Sequence, residues 1–184
     1  AALTGHLVFS TLHTNSAAGI LPRLIDMGIE PFLIASTVNT IIGQRLVRRV
    51  SPKRNTYQSD PLQTQSIIDT VGHLLPKTPE EVEHVSEDLG YKNLPLANQK
   101  SYTLVKGRDT PQTPGGYSGR AGLYEVMEVT DEIRELIIKH ATSNEVQKVA
   151  MEQGMITMRQ DGYLKALTGI TTLEEVNRVA ADTA

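Results

Sequence analysis
The chain has 184 residues, 39% of them hydrophobic and 21% charged, with a net charge of −3 and no cysteine. That suits one domain, or a domain and a half, with a real core, and it is not the composition of a disordered chain. The acidic balance gives no general affinity for nucleic acid or membranes, and the lack of cysteine excludes disulfides and thiolate metal sites. No apolar run approaches the ~18 residues of a membrane span and no signal peptide is visible, so a cytoplasmic location is expected.

Gly5–Asn15 reads GHLVFSTLHTN. Leu7, Val8 and Phe9 are consecutive and apolar, and His6–Leu12 is expected to be a short buried strand of the kind found in parallel sheets covered on both faces. From Ser16 the pattern becomes helical. His13, Thr14 and Asn15 would then stand at a strand-to-helix handover, where open α/β sheets collect ligands. The spacing equally allows Thr14 or Asn15 as a helix cap and His13 as a buried, satisfied histidine. The chain starts without Met just before this stretch, which reads as a fragment whose sheet partners lie upstream.

Ala17–Met27 has near-helical apolar spacing, with Gly28 as its stop and Pro22 as a potential bend. Pro31 opens a second helix over Phe32–Asn39, and Gln44–Val50 reads as strand. Residues 31–59 hold Arg45, Arg48, Arg49, Lys53 and Arg54 and no acidic residue, a local charge of +5. Such a run either shields a solvated edge strand or binds anions or an acidic partner face. Gly119–Val129 is a second strand, expected to pair antiparallel with Gln44–Val50. Residues 51–118 are too many for a structureless loop and should fold as an inserted lobe. Helices are expected there at Leu62–Leu75 and at Thr78–Leu89, the latter capped by Thr78 and stopped by Gly90. A short strand is expected at Ser101–Val105 and a Pro/Gly loop at Asp109–Tyr117.

The remainder reads as short amphipathic helices. Thr130-Asp131 caps Glu132–Lys139. Ser143 opens a helix ended by Gly154, Thr157–Leu167 follows, and Thr171 or Thr172 caps the last. Helices of this kind ordinarily pack as a bundle without chemistry of their own. His73 and His84, on separate helices, read as surface residues rather than metal ligands.

GHLVFSTLHTN resembles the histidine box of the secretion ATPase superfamily, the motors of type II secretion and of type IV pilus assembly and retraction. AAGILPRLIDMGIEPFLIAST, QRLVRR and QGMITMRQDGYLKALTGITTLEEVNRV are similar to the same family, so the resemblance covers almost everything except roughly residues 55–105. It implies an α/β fold: the C-terminal part of a RecA-like P-loop ATPase domain, with an inserted small α+β lobe and a C-terminal helical bundle. The segments would be 1–50 for the core, 51–118 for the lobe, 119–129 for the returning strand and 130–184 for the helical part. It implies His13 as the catalytic residue facing the γ-phosphate, and His6, Thr11, Thr14 and Asn15 as nucleotide-binding. Arg45, Arg48 and Arg49 would lie at a subunit interface or anion site.

In that family the insertion carries two CxxC pairs that hold zinc. Ser51-Pro-Lys-Arg54 and Thr110-Pro-Gln-Thr113 stand in their place here. Without thiolates no structural zinc is expected. The sequence has no GxxxxGK[ST] loop and no apolar strand ending in acids to organise Mg²⁺. ATP and Mg²⁺ are therefore expected as cofactors of the full-length protein, not of this polypeptide alone.

The expected assembly is a homo-hexamer that works with an inner-membrane platform and cytoplasmic adaptor proteins. It would associate with the inner membrane peripherally, without inserting into it and without nucleic acid. The inserted lobe favours the assembly or secretion branch over retraction motors. The competing class is a non-enzymatic interaction module that kept the fold and lost the motor. A basic nucleic-acid binder around Arg45–Arg54 is disfavoured, because Tyr57 is the lone aromatic nearby.

Overall fold
The computed structural model describes residues 2–180, a mixed α/β arrangement. The described chain runs α1 (Ile20–Asp26), α2 (Pro31–Thr37), β1 (Thr40–Val50), β2 (Arg54–Gln58), α3 (Pro61–Val71), α4 (Val82–Asp88), β3 (Thr103–Gly107), β4 (Tyr117–Glu128), α5 (Asp131–Ile138), α6 (Ser143–Glu152), α7 (Met158–Leu167) and α8 (Leu173–Val179). β1 pairs with β4, and β2 with β3. The β2–β3 pair is antiparallel, in register from Arg54↔Gly107 to Gln58↔Thr103. Within the described residues the chain divides into two units: 2–44 with 124–158, and 45–123 with 159–180.

In the first unit, Ile133 and Ile137 of α5 lie one helical turn apart and both are buried. They join Leu21, Ile34, Ala35, Ile41, Met127, Val146 and Ala150 in one apolar core. Arg134 Nε donates to the Ala35 carbonyl at 3.0 Å, satisfying a late carbonyl of α2. Helix ends follow local chemistry. The Thr130 hydroxyl accepts from Ile133 N–H, and Thr142 with Glu145 forms a reciprocal capping box. Gly28, at φ +83°, ends α1 with its N–H on the Ile25 carbonyl, while Ile29 N–H reaches back to Leu24. Pro22 is the third residue of α1. In the first turn a proline has no intrahelical N–H bond to lose.

The second unit is built around Ile67, Val71, Leu94, Tyr102, Leu104, Tyr163, Leu164 and Val176, all buried. Ser59 joins strand to helix: its hydroxyl contacts Thr64 Oγ1 at 2.6 Å and accepts from Tyr102 N–H at 2.9 Å. The Tyr163 hydroxyl contacts Ser66 Oγ at 2.7 Å and donates to Asn177 Oδ1 at 3.0 Å, linking α7 to α3 and α8. The helices after residue 130 are therefore shared out. α5 and α6 belong with the N-terminal residues, whereas α7 from Arg159 onward and α8 belong with the residues between β1 and β4.

The expected strand at His6–Leu12 is absent. Residues 6–14 are irregular, and Leu7 and Phe9 are 81% and 88% exposed. A strand flanked by apolar side chains needs a neighbour to take its N–H and C=O groups and layers on both faces. Among the described residues, no named strand pairs with this segment. α1 also begins at Ile20, four residues later than the sequence pattern suggests.

Candidate functional site
The residues singled out by sequence lie along this exposed segment. His6 Nδ1 is 2.9 Å from Thr4 Oγ1, just after the turn at Gly5, which has φ +86°. His6, Thr11, His13 and Asn15 are exposed and Thr14 is half-buried. The far end is held by short-range bonds. Arg23 Nη1, from α1, donates to the His13 carbonyl. Thr14 Oγ1 donates to the Ser16 carbonyl at 3.0 Å. Neither Thr14 nor Asn15 caps α1. The hydroxyl that takes a free N–H there is that of Ser16, which accepts from Gly19 at 3.2 Å.

Thus His13 presents an exposed imidazole from a backbone clamped by a guanidinium. An imidazole can donate one hydrogen bond. Thr11, Asn15 and Arg23 carry further side-chain donors in the same stretch of chain. Residues 1–25 contain no Asp or Glu. Carboxylate oxygens of the kind Mg²⁺ binds are thus not supplied by these residues. Among the described residues no group of three or more His, Asp and Glu side chains could hold a metal ion. His73 Nε2 lies 3.5 Å from Gln160 Nε2, and His84 lies 3.5 Å from Asp88.

Sequence reasoning missed two residues in and behind this segment. Arg23 is ten positions from the carbonyl it clamps, and no local pattern joins them. Glu125 had a readable signal. In β4 the inward positions are Leu123, Glu125 and Met127, all buried, so strand alternation alone puts a carboxylate on the core face. Its oxygens accept from Ala17 N–H at 2.7 Å and Met158 N–H at 3.2 Å.

The basic run is divided. Arg48 is engaged inside its own unit. Its guanidinium pairs with Glu175 and lies 4.2 Å from the centroid of the Tyr117 ring. Its backbone N–H donates to the other Glu175 oxygen at 3.1 Å. Arg178 grips the same carboxylate through Nε at 3.0 Å and Nη2 at 2.8 Å. Burial opposes ionisation of Glu175, but the bonds from Arg48 and Arg178 outweigh it and hold the carboxyl at about 2. Arg54 Nη1 donates to the Gly169 carbonyl at 2.6 Å. Arg49 and Lys53 are exposed, and Arg45 is half-buried.

At the two positions where the resemblance would set cysteine pairs, hydroxyls close the chain on itself. Ser51 is buried, and its hydroxyl donates to the Lys53 carbonyl at 2.8 Å; that carbonyl also accepts from Arg108 N–H at 2.8 Å. The Thr110 and Thr113 hydroxyls are 2.8 Å apart, and Thr113 Oγ1 donates to the Arg108 carbonyl at 2.9 Å.

Residues 1–178 match the family described as type II/IV secretion system protein. Among relatives, the type II secretion system protein E of Xanthomonas campestris pv. campestris is 40% identical over 98% of this chain and 28% of its own length. The type IV pilus assembly ATPase PilB of Thermus thermophilus is 40% identical over 96% of this chain and 17% of its own. PilB of Pseudomonas aeruginosa is 37% identical over 99% and 28%. The chain thus spans less than a third of the length of these three relatives. A match that runs over residues 1–178 places the chain: it belongs to the type II/IV secretion system protein family.

Proposed function
We propose that this chain is the C-terminal part of the ATPase subunit of a type II secretion or type IV pilus assembly machine. The observation that carries the reading is the family match across residues 1–178, with relatives named as secretion protein E and pilus assembly ATPase at 37–40% identity. On this reading residues 1–50 complete a RecA-like ATPase core, 51–118 form an inserted lobe and 130–184 a helical part. The subunit works in a cytoplasmic homo-hexamer alongside a membrane platform and adaptor proteins. ATP, when bound, supplies the phosphoanhydride bond.

The residues of this chain act on the terminal phosphate from one side. His13 donates a ring N–H, with His6, Thr11, Thr14 and Asn15 as neighbouring polar contacts. Arg23 and the Thr14–Ser16 turn fix the backbone that carries the imidazole. A triphosphate would be distinguished from a diphosphate by whether that hydrogen bond is made.

The test is His13→Ala in the full-length ATPase, with turnover and thermal stability measured on one preparation. Turnover should fall roughly 10- to 1,000-fold, the range for one lost transition-state donor, while ATP affinity changes much less. Normal turnover per folded molecule with a lower melting temperature would make His13 structural, whereas a full-length protein that turns over no ATP before any substitution would leave the non-enzymatic interaction module as the better reading.

A further inference from the structure
Glu125 is 1% exposed and sits between Leu123 and Met127, both fully buried. A carboxylate in such a place costs free energy unless each oxygen is hydrogen-bonded, and an aliphatic residue would pack the strand more simply. Both oxygens here take backbone N–H groups from distant segments: Oε1 from Ala17 and Oε2 from Met158. Ala17 immediately follows Ser16, whose carbonyl accepts from Thr14 and whose hydroxyl holds Gly19. Met158 is the first residue of α7, where a helix leaves N–H groups without intrahelical partners and favours negative charge. It is also the last residue of the first unit before the chain leaves it.

Gly43 of β1 lies beside all three residues, Ala17, Glu125 and Met158. A Cβ placed on Gly43 would come 3.1 Å from Met158 Cε, 3.5 Å from Ala17 N and 3.6 Å from Glu125 Cβ. Of these only the Met158 methyl, the end of a flexible side chain, would have to give; the other two are ordinary contact distances.

We infer that Glu125 is a positioning residue for the His13 loop. It ties the end of the loop, at Ala17, to the first residue of α7, so that the placing of the His13 imidazole and of the α7 N-terminus are set by one side chain. The inference rests on the phosphate-facing reading of His13. Only an acceptor at both oxygens serves two N–H donors; a carboxamide turns its NH₂ toward one of them.

The experiment uses the full-length ATPase with Glu125→Gln, His13→Ala and the double variant. Glu125→Gln should lower kcat roughly 10- to 100-fold, as expected when a catalytic group is misplaced by about an ångström, with KM for ATP within about twofold. In the His13→Ala background the same substitution should cost no further turnover, because there is no imidazole left to misplace. Any loss of melting temperature should add between the two variants.

An equal factor lost in both backgrounds, or a loss matched by the folded fraction, overturns the Glu125 assignment while leaving that of His13 standing. If His13→Ala alone leaves turnover intact, both fall. Should Glu125→Gln fail to fold, Glu125→Asp keeps the charge but draws both oxygens back by about one bond, away from Ala17 and Met158 N–H. It should lower kcat in the parent and not in the His13→Ala background, and equal losses in the two overturn the assignment.

Discussion
Glu175, 2% exposed, is shared by two guanidiniums that are each about half in water, Arg48 at 50% and Arg178 at 59%. Its carboxyl is held at about 2 against an ordinary 4.5. Because the folded-state value is depressed, the stabilisation is fully present above the unfolded value and is lost as pH falls toward the folded one. Discounted for the exposed partners, the carboxylate contributes on the order of 2 kcal/mol at neutral pH. Glu175→Gln should therefore lower the melting temperature by roughly 4–8 °C at pH 7. The gap between wild type and variant should stay constant down to about pH 4.5 and close toward pH 2. Thermal melts across that range check both the size and the sign.

At the scale of elements, the end of the β2–β3 ribbon depends on two glycines in backbone contact. A Cβ on Gly107 would come 1.7 Å from the Gly116 carbonyl oxygen, and one on Gly116 would come 2.4 Å from the Gly107 oxygen. Gly107 also pairs with Arg54 at the end of the register. Gly90, at φ +72°, has nothing within 4 Å of its would-be Cβ. Gly90→Ala should cost about 1 kcal/mol, from the left-handed backbone alone. Gly107→Ala forces a backbone shift and should cost ~3 kcal/mol or more. Urea midpoints of the two variants compare them directly, and equal costs would mean that the contact relaxes freely.

Local signals served helices better than strands. Thr130 and Thr172 each accept from a helix N–H, as their positions before apolar periods suggested, whereas the cap of α6 is Thr142, one residue ahead of the Ser143 expected to open that helix. Thr78, in the same kind of sequence context, makes no such bond, and Pro79–Glu81 is a 3₁₀ turn rather than the start of the α-helix. β2, read RNTYQ, has no apolar alternation to announce it, and only its ladder with β3 makes it a strand.

At the scale of the whole molecule, the proposed hexamer turns the basic run into a question about assembly. Arg48 is taken up by Glu175 and is unsuitable for testing, since removing it strips a buried carboxylate of its partner. Arg49 is exposed and Arg45 half-buried. Arg45→Ala with Arg49→Ala in the full-length protein should shift sedimentation toward species smaller than the hexamer at physiological salt, and Arg49→Ala alone should shift it the same way with the melting temperature of the subunit little changed. Unaltered assembly and activity would return these arginines to the role of solvated edge charges.

The amino-acid sequence by itself determined the helix boundaries to within a few residues, the glycine stops and the family. Each of these rests on chemistry within a turn or two of chain, or on a pattern of side chains carried along its whole length. Tertiary structure alone decided the rest. It set whether Leu7–Phe9 is covered, since burial needs a neighbouring strand that no local pattern supplies. It chose which arginine meets Glu175, 127 residues away from Arg48. It also divided the last helices between two cores: Ile133 and Ile137 find Ile34 and Ala35, whereas Tyr163 finds Ser66 and Asn177. Apolar periodicity says that a helix has a face to bury. Only the packed chain says against what, because the hydrophobic effect is non-directional and shape and hydrogen-bond partners select among the possible contacts.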